Sequence, residues 1–157
     1  MDILKIPIMN KMEYDELINE QYISRIAFKG EYPYIAPFMY VFNGKSLYFL
    51  STKYGKKIQL FRKNPKVAIE IEKYADDLSE FRFVTLQGRI SEVKDPSEKK
   101  DVKKRFVDLI KSKHLSRSIM AALGHSPEEP PESILKEEKS FVWKLVDVEN
   151  IVGIKNQ

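Results

Sequence analysis

Apolar positions in this chain recur mainly with a period of two, and the runs that keep this period predict its architecture. From Tyr34 to Phe42, Tyr34, Ala36, Phe38, Tyr40 and Phe42 fall on one face, and Ile35, Pro37, Met39 and Val41 on the other. The segment predicts a strand covered on both sides, inside a barrel or beneath another layer. Tyr22 to Phe28 is β-branched and aromatic and ends at Lys29-Gly30-Glu31, which predicts a strand followed by a turn. Lys66 to Tyr74 sets Val67, Ile69 and Ile71 against Lys66, Glu70 and Glu72, a strand with one wet face. Phe81 to Val93 predicts a long strand with a bulge or bend at Gly88, and Ser140 to Ile154 a closing strand. Asn43-Gly44 predicts a two-residue type I′ turn, which needs positive φ at both positions. It ties the Tyr34–Phe42 strand to Ser46–Thr52 as a hairpin.

A helical period replaces the strand period in a few places. Asn10-Lys11-Met12-Glu13 reads as a capping box, followed by a Tyr14, Leu17, Ile18 stripe to about Glu20. Gly55 to Lys63 carries Ile58 and Phe61 at i, i+3 and stops at Asn64-Pro65, a short amphipathic helix. Asp95-Pro96-Ser97-Glu98 opens a longer helix with Val102, Phe106, Leu109 and Ile110 on its apolar stripe. Ser116 to about Leu123 adds a helical turn or two, and the Pro-rich segment 124–133 predicts an exposed loop. About six strands with few, peripheral helices predict a mainly β protein, a small barrel. The chain reads as a single domain over 1–157, with its core in 12–94 and 140–154 and a helical insert at about 96–123.

Composition narrows the chemistry. The 157 residues include no Cys and only two His, which excludes disulfides, thiolate metal sites and a cysteine nucleophile. His114 and His125 read as solvated, and no metal site is expected. No Ser-His-Asp set, P-loop or paired-carboxylate arrangement occurs. Trp143 is expected in the core or in an interface. The N-terminus lacks an export signal and no apolar run reaches the roughly 18–20 residues of a membrane span, so a cytoplasmic protein without a membrane partner is expected. The net charge of +4 and the pI of about 9.1 raise the question of nucleic acid. However, Lys53, Lys56, Lys57, Arg62, Lys63 and Lys66 all fall within residues 53–66, which contain no acid. The basic excess is therefore one local corner, and the aromatic residues alternate as core rather than forming an exposed stacking face, so nucleic acid is not the expected partner.

That corner holds the candidate chemistry. In Tyr48-Phe49-Leu50-Ser51-Thr52-Lys53-Tyr54-Gly55-Lys56-Lys57 a strand ends in two hydroxyls, a Gly follows, and a helix starts with two lysines. Free amides at a helix start, hydroxyls and ammonium groups together suit a phosphate; the same residues also read as a solvated turn with incidental lysines. The aromatic strand beside it favours a ligand with a phosphate at one end and a flat, polar-edged ring at the other. Laid along the Ala36-Pro37-Phe38-Met39-Tyr40 backbone, that is how flavin mononucleotide (FMN) would fit.

The order of Y-I-S-R-I-A-F, then I-A-P-F-M-Y-V-F-N-G-K-S-L-Y-F-L-S-T-K-Y-G-K-K-I-Q-L-F-R-K-N-P-K-V-A-I-E-I, then F-R-F-V-T-L-Q-G-R-I-S-E-V resembles the pyridoxamine 5′-phosphate oxidase-like FMN-binding split-barrel superfamily. Within it the resemblance is nearest to the small nitroimidazole-resistance-type flavoproteins, and it spans roughly residues 12–94. It implies a six-stranded antiparallel split β-barrel of Greek-key type that forms a homodimer with FMN at the interface. Ser51 and Thr52 would meet the phosphate and Lys56 and Lys57 neutralise it. Ala36, Pro37, Phe38, Met39 and Tyr40 would carry the ring contacts. Leu50, at the end of the hairpin's second strand, stands where the nitroimidazole-resistance type often has His. Tyr40 and Phe83 replace a Lys and a Gln of the phosphate oxidases proper, and their Arg-containing C-terminus is missing, so oxidation of pyridoxamine phosphate is not expected. The implied activity is transfer of two electrons from a reduced nicotinamide cofactor, NAD(P)H, to a small acceptor. The alternatives are a non-catalytic flavin carrier or sensor, or the same barrel holding a deazaflavin or haem.

Overall fold

The computed structural model describes residues 2–157. Its strands are β1 (Ile23–Phe28), β2 (Tyr34–Phe42), β3 (Leu47–Thr52), β4 (Lys66–Tyr74), β5 (Phe81–Glu92) and β6 (Ser140–Lys155). Every pairing is antiparallel, and the order β1-β2-β3-β6-β5-β4 closes a barrel. Five helices lie around it: α1 (Lys11–Glu20), α2 (Lys56–Lys63), α3 (Pro96–Ser112), α4 (Ile119–Ala122) and α5 (Ser133–Lys136). The expected capping box at Asn10 and Glu13 is present, as is the Asp95 cap with Pro96 in the first turn of α3. The β5–β6 register shifts between Gln87 and Arg89, around the expected irregularity at Gly88. A Cβ at Gly88 would lie 2.8 Å from the Val146 carbonyl oxygen, so the strands close up there only because no side chain intervenes.

Alternation divides the buried residues into two layers. Inside the barrel lie Ile26, Phe28, Ala36, Phe38, Tyr40, Phe49, Ile69, Val84 and Trp143. On the outside of β2, β3 and β6, Met39, Val41, Tyr48, Leu50 and Val142 are covered by Val102, Phe106 and Ile110 of α3 with Met120 and Ile134. β3 is therefore buried along its whole length. β2 is covered on both sides only from Met39 onward, because Ile35 and Pro37 remain exposed on its outer face. No helix among the described residues is long and apolar enough to cross a membrane.

Two local expectations are corrected. The β2–β3 turn is not type I′, since only Gly44 takes a positive φ (91°). The Asn43 side-chain oxygen instead accepts from the amides of Lys45 (3.0 Å) and Ser46 (2.7 Å), giving a four-residue Asx-type connection. Nor is the 124–133 segment wholly an exposed loop, because His125 is buried rather than solvated. Its Nδ1 lies 2.8 Å from Glu129, whose other oxygen accepts from Lys139 at 2.9 Å; Lys139 also reaches Glu137 at 2.8 Å. These groups pin the segment to the start of β6, and hydrogen bonds from Lys139 and then His125 hold the Glu129 carboxyl down at about 2.

Candidate functional site

The hydrogen-bonded ladder between β2 and β3 is short. It runs from Tyr40↔Phe49 to Phe42↔Leu47, while β2 stays paired to β1 as far as Tyr34, and β3 to β6 as far as Thr52. Beyond Tyr40 and Phe49 the two strands diverge, so the facing edges of residues 34–39 and 50–52 form no ladder. The barrel is split here, and backbone donors and acceptors line both sides of the opening. Pro37, which has no amide proton to contribute, lies on β2 within this stretch.

The foot of the split is built by the turn from β3 into α2. Gly55 precedes the helix at φ 106°, ψ 173°, a conformation close to glycine-only. It brings no side chain to cap the first turn; the Ile58 amide donates back to the Gly55 carbonyl at 3.2 Å, which leaves the amides of Lys56 and Lys57 as the free ones. Lys57 folds back over the turn and donates to Thr52 Oγ1 at 2.7 Å, and Thr52 Oγ1 donates in turn to the Tyr54 carbonyl at 3.2 Å. The Lys57 ammonium also lies 6.0 Å from the Phe38 ring centre and 5.9 Å from that of Tyr54. Burial without a carboxylate partner lowers its pKa below the ordinary lysine range. To either side, Lys56 sits over Tyr34 and Lys53 over Phe141, each at 5.3 Å.

Electrostatically the corner is unfinished. Cations at the positive end of a helix dipole are unfavourable by about 0.3–1 kcal/mol each at an exposed site, yet α2 opens with Lys56 and Lys57 and has no acid in its first turn. Among the described residues, none of Lys53, Lys56, Lys57, Arg62, Lys63 and Lys66 forms a salt bridge, although Lys and Arg elsewhere pair repeatedly. An anion at the start of α2 would meet the Lys57 ammonium and the free amides of Lys56 and Lys57, with the Thr52 hydroxyl able to join once it releases the Tyr54 carbonyl.

The expected site residues divide. Thr52 and Lys57 meet at the foot of the split, at 2.7 Å, while Lys56 stands beside them on the chain with its ammonium over Tyr34. Ser51 is next to them but fully buried, and its hydroxyl donates to the Thr52 carbonyl at 2.9 Å. The side chains of Ala36, Phe38 and Tyr40 point into the barrel core and those of Met39 and Leu50 lie under α3. The Tyr40 hydroxyl donates to the Ile18 carbonyl at 2.6 Å, tying α1 to the barrel, and burial pushes its pKa far up. Of the β2 set only the Pro37 side chain is open, so what this strand presents to the split is its backbone edge. The flanking pairs Lys53–Phe141 and Lys56–Tyr34 escaped the sequence reading because they join residues distant along the chain. So did the support beneath α2, where Phe61 packs on Trp143 at 4.9 Å and Trp143 on Phe38 at 5.7 Å. The apolar stripe of α2 puts Phe61 on the same side as Ile58, without naming its partner, and the structure leaves Phe61 half-buried.

A second feature adjoins the split. The outer face of β2, β1, β4 and β5 carries no helix over its centre, where Ile35, Ala27, Ala68 and Gln87 form one row and Pro37, Arg25, Glu70 and Thr85 the next. Cavities of about 440 Å³ and 340 Å³ open on it, both lined by Ala27 and Ala68. Arg25 pairs with Glu70 and Glu72 at one end, and Lys29, Lys66 and Arg89 line the other together with Asp147, which pairs with Arg89, and Glu149. Burial first, and then the neighbouring Glu72, raise the Glu70 carboxyl to about 7.

Residues 10–134 match the sequence profile of the pyridoxamine 5′-phosphate oxidase family. Among curated proteins, the uncharacterized protein RA0666 of Rhizobium meliloti is 30% identical over 89 residues, which cover 56% of this chain and 58% of that relative. Among solved structures, a FAD-binding protein from Mesorhizobium loti superposes with a TM-score of 0.72 at 20% identity, covering 98% of this chain and all of its own. A candidate 5-nitroimidazole antibiotic resistance protein from Bacteroides thetaiotaomicron superposes with a TM-score of 0.65 at 17% identity, covering 96% of this chain and 87% of its own. At such identities the likeness is one of fold.

Proposed function

Because this chain belongs to the pyridoxamine 5′-phosphate oxidase family, we propose that it binds flavin mononucleotide in the split between β2 and β3, with the phosphate at Thr52–Lys57. The observation that carries this reading is the pair of uncompensated lysines at an uncapped helix start, directly below an unpaired strand edge. Thr52 and Lys57 hold the phosphate, Lys56 neutralises it, and the Tyr34–Met39 backbone offers hydrogen-bonding groups to the polar edge of the ring. Bound there, the flavin supplies two-electron chemistry that the protein's own side chains do not, taking electrons from a reduced nicotinamide nucleotide and passing them to a small acceptor. A haem is the weaker alternative, because neither histidine lies among the residues around the split and the chain has no cysteine, which leaves tyrosine or methionine as the axial ligand there.

The same reading includes a second copy of the chain on the exposed β2-β1-β4-β5 face. In this reading a two-fold axis near Ala27 and Ala68 would set the Glu70–Glu72 end of one protomer against Lys29 and Lys66 of its partner, with Arg25 and the Arg89–Asp147 pair matched within each chain. β2 borders both this face and the split, so the second copy would also close over the flavin ring.

Absorption spectroscopy of the purified protein, with mass spectrometry of the released ligand, tests the cofactor. A flavin spectrum and the mass of FMN are expected. A colourless protein that takes up no added FMN, a haem spectrum, or a released deazaflavin would overturn it. Anaerobic addition of NADPH or NADH then separates an oxidoreductase, whose flavin bleaches, from a carrier or sensor, whose flavin does not.

A further inference from the structure

We propose that Lys53 forms a second phosphate subsite beside the flavin cradle. Its ligand would be the 2′-phosphate on the adenosine ribose of a nicotinamide dinucleotide, so that the phosphorylated donor is selected over the unphosphorylated one. The inference rests on the flavin reading above and deepens it by naming the donor class.

The argument is one of charge. A phosphate monoester carries about −1.5 to −2 at neutral pH, and the flavin phosphate is met by Lys56 and Lys57. Four more cations share the corner without a carboxylate partner. Arg62 and Lys63 occupy the last turn of α2, where they complement the negative end of the helix dipole. Lys66 lines the cavity on the outer sheet face together with Lys29 and Arg89. Lys53 neither offsets the helix dipole nor lines that cavity: its ammonium is held over Phe141 on the turn between Thr52 and Gly55, next to the cradle.

Its surroundings suit a nucleotide. The Lys53 ammonium is held 5.3 Å over the ring of Phe141, which lies opposite Ser51 in the β3–β6 ladder. The next residue, Tyr54, exposes 73% of its surface beside it. An ammonium without a carboxylate partner, held over a half-buried ring, offers a charge for a phosphate and a flat surface for a base, and the exposed Tyr54 ring that follows it in the chain lies under Lys57 at 5.9 Å. Lys53 lies on the β6 side of Lys57, whereas Lys56 lies over Tyr34 on the β2 side, so this subsite does not overlap the route of the flavin ring along β2.

The test is titration calorimetry of the flavin-loaded protein with 2′-phospho-ADP-ribose and with ADP-ribose, neither of which can donate electrons. At low salt the phosphorylated ligand should bind at least about tenfold more tightly, the value of one charge-assisted contact. In Lys53→Gln and Lys53→Met that ratio should fall to about one, each variant being titrated at the same flavin loading as the wild-type protein. Equal affinity of the wild-type protein for both ligands, binding of neither, or a ratio that survives both substitutions would overturn the proposal. Failure of the flavin reading registers separately as absent flavin absorption, and the two titrations still read Lys53 in that case.

Discussion

At the scale of single residues, Lys57 is the most informative group in the molecule. Its ammonium is partly buried, touches one hydroxyl, and faces no carboxylate. A charge-assisted hydrogen bond is worth about 1.5–3 kcal/mol, so Lys57→Ala should weaken FMN binding by roughly ten- to a hundredfold. Lys100→Ala, on the exposed side of α3, should leave it unchanged. Fluorescence titration with FMN reads both, and equal affinities would remove the phosphate site. The lowered pKa adds a pH signature. Between Lys57's folded value and the ordinary 10.5, the unfolded chain binds more protons than the folded one. The flavin-free protein therefore gains stability as pH rises through that window. Flavin retention moves the opposite way, because deprotonation removes the charge that the phosphate meets. Lys57→Arg, which stays charged throughout, should flatten the alkaline loss of flavin seen in titrations at increasing pH.

At the scale of elements, Gly55 decides how α2 is aimed. Its φ of 106° with an extended ψ is strained for any residue with a Cβ, by about 1–3 kcal/mol. Gly44, at φ 91°, carries a comparable demand in the hairpin turn, where an added Cβ would meet nothing within 4 Å. Gly55→Ala and Gly44→Ala should lower the thermal midpoint to a similar extent, but only Gly55→Ala should also reduce FMN affinity. Thermal melts and FMN titrations of the two variants separate strain from site geometry, and equal affinity in both would show that the α2 start does not position the phosphate.

The elements themselves were largely legible in the sequence, because capping at Asn10 and Asp95, period-two alternation and the Asn64-Pro65 stop are local signals. The type of the β2–β3 turn was not, since it turns on whether the Asn43 side chain accepts from Lys45 and Ser46. The burial of His125 was hidden because its partners Glu129, Lys139 and Glu137 are gathered only when the segment folds. For the site, the cationic turn could be read directly from the residues, whereas the split was implied only through the family resemblance, since its place depends on where two strands stop running together. Alternation did reveal that Ala36, Phe38 and Tyr40 share a face. It left open which face looks inward, and the barrel takes all three.

At the scale of the whole molecule, the question is what covers the bare outer face of β2, β1, β4 and β5. Its centre is made of small side chains, Ala27, Ala68 and Thr85, with Ile35 exposed at 62% beside them and charges gathered toward the ends. Small residues in the middle of a sheet allow a second sheet or loop to approach closely, and opposite charges at the two ends fix a two-fold register. A charge placed at the centre tests this. Ala68→Arg would bury an unpaired guanidinium against the partner's identical position, at a cost of several kcal/mol, raising the dimer dissociation constant by about a hundredfold or more. Ala68 lies on the outer face of β4 and contributes nothing to the barrel interior, so the protomer should keep its fold by circular dichroism. Sedimentation velocity should show the wild-type protein as a dimer and Ala68→Arg as a monomer. If the second copy closes the flavin site, the monomer should also lose FMN in the same run, followed by its visible absorption. A monomer that retains FMN would confine the site to one chain, and a variant that remains dimeric would move the interface to another face.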